Sequence, residues 1–247
     1  MGGMRRSREN ERSSLGRLPN PAVGDFERLG KTMGLVKIDG GFFDAESHGY
    51  YDEAGKFVPS VTQVLKLTGL SNYDFVNPEV LKAKAALGTE VHGLTVLKDQ
   101  MGDLDPTWIG GRAVPYFAAY EQFVHDKHFV PDPEWTERAV IATIYGMKVG
   151  VTPDRFGKLA GTDTVIELKC VESPLQSWGF QTAIQEMAIY KTQHLGRAQR
   201  MALQLTKAGK YKIDPHTNHS YDASVAVAAL TLVYARLKAG EKIWERV

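Results

Sequence analysis

The chain has 247 residues, of which 43% are hydrophobic and 24% charged, and its net charge is +1. Those values describe a globular protein with a full core, sized for one large domain or a domain with a small extra lobe. They carry no global basic excess, so any contact with nucleic acid requires a local positive groove. The single cysteine, Cys170, excludes an internal disulfide framework and a four-cysteine zinc or iron–sulfur site, and fits a reducing, cytoplasmic setting. No run approaches the roughly 18 apolar residues of a membrane span.

Residues 1–24 are rich in Arg, Ser, Gly and Asn, with Pro19 and Pro21 close together. They read as a flexible basic arm. From 34 to 57 the residues form short strands, LVKI, GGFF and GYYDEAGKF, with a turn at 52–55. Ser60 is placed to cap a helix. Asn77 and Pro78 open a longer one, to about Asp99, capped by the asparagine with proline at the first helical position. On it Gly88, His92 and Thr95 recur at steps of three or four, so His92 shares a face with small residues. A third helix spans about 114–128, with Phe117, Tyr120 and Phe123 on its apolar stripe.

The period then changes to two. Residues 135–145 and 147–156 read as antiparallel strands turning at Gly146, and 162–170 as a third strand. A helix is expected from Pro174 to His194, a hairpin over 200–213, and a last helix over 223–238 capped by Asp222. This order predicts an α/β protein with a mixed central β-sheet flanked by α-helices.

The chemistry gathers in Gly150–Cys170, GVTPDRFGKLAGTDTVIELKC. Asp154 and Glu167 fall on neighbouring predicted strands, so their carboxylates can converge on one ion. Lys169 points to the same side as Glu167, because side chains alternate along a strand. Magnesium takes oxygen ligands in near-octahedral geometry. It lowers the pKa of bound water and neutralises phosphate charge, and a lysine beside it can orient the attacking hydroxide. The main-chain carbonyl of Leu168 lies between the two side chains as a further ligand.

Pro153-Asp154 followed by Glu167-Leu168-Lys169 resembles the signature of the PD-(D/E)XK nuclease superfamily, closest to its RecB-like and phage-type exonuclease branch. Gly88-Thr89-Glu90-Val91-His92, Glu137, Gly150, and Gln181, Gln185, Glu186 and Tyr190 extend the resemblance over residues 60–235. The resemblance implies a restriction-endonuclease-like core within a single domain over 25–247. It implies a Mg²⁺- or Mn²⁺-dependent deoxyribonuclease with Asp154, Glu167 and Lys169 catalytic, and with His92, Asp154, Glu167 and Leu168 holding metal. Glu137 and Tyr190 would line the site, and Gln181, Gln185 and Glu186 would face DNA. In the family's Gln-x-x-x-Tyr spacing, the glutamine position falls on Glu186 here, with Gln185 one residue out of step. The implied partners are DNA ends, single- or double-stranded, and a recombination protein such as a single-strand annealing protein or helicase. A homo-oligomer working in the cytoplasm, of the host if the chain is phage-encoded, is also implied. Two rivals are a sequence- or structure-specific endonuclease and a non-cleaving DNA-binding protein of the same fold.

Overall fold

The strand carrying Glu167 lies at the middle of the molecule. In a computed structural model that describes residues 34–72, 76–171 and 173–241, it is β9, Thr162–Lys169. The 1–24 arm lies outside the described residues. On one side β9 pairs antiparallel with β8 (Arg155–Leu159), which pairs with the short β5 (Val130–Pro131). On the other side it pairs in parallel with β10 (Gln199–Leu205), which forms a hairpin with β11 (Tyr211–Pro215). The resulting mixed sheet has the order β11-β10-β9-β8-β5. Two further sheets join it: β1 (Leu35–Ile38) through β2 (Gly41–Asp44) and β3 (Gly49–Asp52) to β4 (Phe57–Val58), and the pair β6 (Val140–Ile144) and β7 (Met147–Val151). The α/β class expected from the element order is therefore the class observed.

Side-chain alternation along β9 divides the molecule into layers. Ile166 and Leu168 face α2 (Pro78–Met101) and α3 (Val114–Lys127), joining Val91, Leu94, Phe117, Tyr120 and Phe123 in one core. Glu167 faces the opposite way, toward α4 (Ser177–Ile189). Behind α4 a second core unites α1 (Val61–Leu67), the β6–β7 pair and α5 (His219–Lys238) through Val64, Val149, Ile184, Met187 and Leu230. Each such aliphatic side chain withdrawn from water contributes about 1.5–3 kcal/mol. Together these cores outweigh the cost of burying the polar groups among them.

Local signals explain the helix starts. Ser60 forms a full capping box with Gln63, and Asn77 accepts from the Glu79 and Val80 amides with Pro78 in the first turn. Four boundaries differ from expectation, among them the helix expected from Pro174 to His194, which spans Ser177–Ile189. The strand expected at 147–156 is broken at Thr152-Pro153-Asp154, because proline brings no N–H to the ladder. The chain thereby leaves β6–β7 and enters the central sheet as β8. The strand expected from Trp135 begins only at Val140: the Asp132 side chain and carbonyl gather Glu134, Trp135 and Thr136 into a turn. The last helix starts at His219, capped by Asn218 rather than Asp222.

Asp222 instead serves a buried arginine. Arg200 donates to Asp222 Oδ2 at 2.9 Å and to the Gly179 carbonyl at 2.9 Å, and its Nε lies 3.2 Å from Glu186 Oε2. This network ties β10 to α4 and α5. No helix among the described residues is long and apolar enough to cross a membrane.

Removing one partner from a buried ion network leaves the others uncompensated. Arg200→Ala is expected to lower the unfolding free energy by about 3–5 kcal/mol, read as a lower urea midpoint; an unchanged midpoint would refute the role given to the network.

Candidate metal centre

The break at Pro153 sets Asp154 at the entrance of β8, beside β9. Its Oδ2 accepts the Leu168 amide at 2.7 Å, which fixes the carboxylate and leaves Oδ1 facing α2. There His92 Nδ1 lies 3.5 Å from Asp154 Oδ1 and 3.4 Å from Glu137 Oε1. His92 Nε2 stands 3.3 Å from the Leu168 carbonyl oxygen. His92, Glu137 and Asp154 each offer a ligand atom within 4.8 Å of the others. Ligands at right angles around an ion with roughly 2.0–2.1 Å bonds sit about 3 Å apart, so a small shift suffices to seat one. One nitrogen and two carboxylates beside a main-chain carbonyl fit a divalent cation that accepts oxygen and imidazole ligands, such as Mn²⁺ or Mg²⁺.

Glu137 reaches this group from a left-handed backbone, with φ at +50°. A non-glycine residue adopts that conformation at a cost. Here it turns the chain out of the Asp132 turn and aims the carboxylate inward.

Glu167 is buried and belongs to an adjoining cluster. Its Oε1 accepts from Lys169 Nζ at 2.6 Å and from Gln181 Nε2 at 2.7 Å, and its Oε2 from Gln185 Nε2 at 2.7 Å. The Lys169 ammonium also sits 5.9 Å above the buried Trp178 ring. Desolvation and the neighbouring Asp154 charge raise the Glu167 pKa, and the lysine and glutamines oppose that rise. Desolvation likewise raises Asp154, against the attraction of His92. Burial pushes the His92 imidazole down, but Asp154, Glu137 and Glu167 outweigh it and bring its pKa to about 9.

The sequence assignments are partly redistributed. Asp154 stands beside Nδ1 of His92, and the Leu168 carbonyl beside Nε2 of the same ring. Glu137, assigned to the site lining, stands among the candidate ligands, whereas Glu167 holds Lys169 and two glutamines. Gln185 is buried and turned to Glu167, Gln181 is half-buried, and both line the cleft beside the candidate ligands. Glu186 is corrected outright. It is fully buried, its Oε1 accepts the amides of Gly196, Arg197 and Ala198, and its other oxygen faces Arg200. Tyr190 is also removed from the site. Its hydroxyl donates to Asp163 and its ring packs edge-on against Phe156, and Asp163 lies four residues along β9 from Glu167, about 13 Å away. Gly88 meets no neighbour that requires its small size, whereas a Cβ on Gly150 would come within 2.2 Å of the Tyr50 ring.

Arg155 was missed. A charged residue on a strand reads as surface, yet its side chain is fully buried. It donates through Nε to Asp99, through NH1 to the Asp154 carbonyl, and through NH2 to Thr95 Oγ1 at 2.7 Å. Its NH1 also lies 3.4 Å from Glu137 Oε1. Thr95 in turn donates to the His92 carbonyl. One guanidinium thus ties together the backbone or side chain of all three candidate ligands. The pairing with Asp99, about two turns beyond His92 on the same helix, was the available signal, but it appears only when α2 is laid against β8.

No protein-family model matches the chain, and no curated protein matches its sequence. Among solved structures, one described as the crystal structure of SSO0001 aligns at 12% identity. It covers 85% of this chain and 86% of that one, with a TM-score of 0.36.

Two outcomes are expected. A cation must displace the proton from His92, so binding releases protons and the apparent affinity for Mn²⁺ rises as the pH approaches about 9. Titration calorimetry in buffers of different ionisation enthalpy reads this directly, and no buffer dependence would contradict it. Arg155→Lys keeps the charge but not the fork of donors. It is expected to weaken Mn²⁺ binding by about 10–100-fold, measured by the same titration on protein shown to be folded by circular dichroism.

Proposed function

We propose that the chain is a metal-dependent deoxyribonuclease of PD-(D/E)XK type. The observation that carries this reading is the grouping of His92, Glu137 and Asp154 within 4.8 Å of one another, with the Leu168 carbonyl against the far ring nitrogen of His92 and the Lys169–Glu167 pair adjoining. Of the Asp…Glu-x-Lys residues, Asp154 stands with His92 and Glu137, while Glu167 and Lys169 form the adjoining pair on β9. The mixed sheet with helices on both faces supports the same reading.

His92, Glu137 and Asp154 would hold a Mn²⁺ or Mg²⁺ ion together with the Leu168 carbonyl. Such an ion supplies charge neutralisation at the scissile phosphate and lowers the pKa of an attacking water. Glu167 holds the Lys169 ammonium at 2.6 Å, and Trp178 supports it from below. From there Lys169 orients the nucleophilic water and stabilises charge on the phosphate. Gln181 and Gln185 keep Glu167 in place, and Gln181 alone of the two is open enough to meet the strand. A small opening of the kind described below suits strand ends better than an uninterrupted duplex, which favours an exonuclease acting in recombination, repair or DNA processing.

Incubation with linear and circular DNA in Mg²⁺ or Mn²⁺ tests this. Linear DNA is expected to be degraded and the closed circle spared, and Lys169→Ala to lose about 10²–10³ in rate with DNA binding retained. Discrete fragments from circles would instead identify an endonuclease, and metal-dependent cleavage of neither form would sink the enzyme reading.

A further inference from the structure

A cleft of about 310 Å³ opens beside the candidate metal ligands. One wall is formed by Glu137 and Asp154, with Gln181 nearby. The opposite wall is aromatic, built by Phe43, His48 and Tyr50 from β2, β3 and the turn between them. Ser60 and Thr62 add hydroxyls at the start of α1.

The aromatic wall is rigidly mounted. The Tyr50 ring lies against Gly150, where any Cβ would collide with it, and its hydroxyl is hydrogen-bonded to Thr152 Oγ1, two residues before Asp154. The Phe43 ring is stacked at a tilt on Tyr50, with centroids 5.0 Å apart, and the His48 ring meets it edge-on at 5.9 Å. The turn between β2 and β3 is held by Asp44, which accepts from the Glu46 amide and the Ser47 hydroxyl. Backbone pairing of Asp39 with Val140 and of Ser60 with Gly150 joins this part of the chain to the β6–β7 pair. Phe43 is half-buried and His48 exposed, and both line the cleft.

We infer that this cleft is a nucleobase subsite, and that the strand presented to the metal centre enters it unpaired. The inference rests on the nuclease reading above and names the substrate class, a single-stranded end. A nucleotide has a charged phosphate at one end and a flat π-surface at the other. The cleft has ligands for a phosphate-bound cation on one wall and aromatic faces on the other. Its volume is at the low end of the range for small-molecule pockets, about 300–1,000 Å³, so it admits a nucleotide and excludes a duplex. A base that enters must leave its stack and its pair, and that loss is least for a strand already single. Stacking on an aromatic face accepts any base, so the subsite sets strandedness and not sequence.

Fluorescence anisotropy with labelled oligonucleotides in Ca²⁺ tests this without requiring cleavage. Single strands are expected to bind more tightly than a blunt duplex of the same sequence. One abasic nucleotide at the strand end should weaken binding about tenfold, the scale of a base–aromatic stack. Phe43→Leu keeps apolar volume and removes the π-face; it should weaken the intact strand to the same extent and the abasic strand little further. His48→Asn tolerates the left-handed backbone at that position, φ +51°, and should weaken the intact strand in the same sense. It serves should Phe43→Leu fold poorly. Equal affinity for single strand and duplex, or an intact strand bound equally by wild type and both variants, overturns the subsite. Phe43-dependent binding without any cleavage keeps the subsite and discards the nuclease reading. Cleavage with KM unchanged in both variants does the reverse.

Discussion

Buried negative charge is the constraint on which the rest of the structure depends. Pairing β8 with β9 sets Asp154 against Glu167, and the Asp132 turn adds Glu137. Carboxylates withdrawn from water repel one another and lose hydration, a cost of several kcal/mol per ion unless compensated. The surroundings answer that cost one group at a time. Lys169, Gln181 and Gln185 surround Glu167, the Leu168 amide binds Asp154, and His92 faces both Asp154 and Glu137. Arg155 closes the arrangement from beneath.

The compensation is also what assembles the fold around the centre. Arg155 and Asp99 join β8 to α2, and the same helix carries His92 about two turns earlier. Glu167 and its glutamines join β9 to α4. A second buried arginine, Arg200, repeats the device behind α4 with Glu186 and Asp222. Two arginines thus hold the helices that frame the centre, one on each face of the sheet. Apolar packing supplies most of the stability, but the ion networks decide which helix surfaces meet the strands.

Gly150 shows how sequence spacing can carry a different meaning from the one first suggested. Its place four residues before Asp154 extends the family resemblance. In the fold its missing side chain is what lets Tyr50 lie flat against β7. The glycine therefore couples the β1–β4 sheet to the strand that leads to Asp154, and gives the cleft its aromatic lining. Cys170 is buried, and desolvation lifts its thiol to about 12.

Local chemistry in the sequence determined the starts of α1 and α2, the turn-rich strands of 35–58, and the α/β order, because caps, prolines and period-two runs act within a few residues. It also determined that Asp154, Glu167 and Lys169 share one neighbourhood, since strand alternation and a single turn relate them. Only the tertiary structure decided that Glu137 joins His92 and Asp154 while Glu167 steers Lys169. It likewise decided that Glu186 turns inward to three amides and that Arg155 is a buried clamp. Those outcomes depend on partners such as Asp99 and Arg200, brought close by packing of distant elements. Whether a charged side chain faces water or another charge is settled by that packing, and no pattern along the strand encodes it.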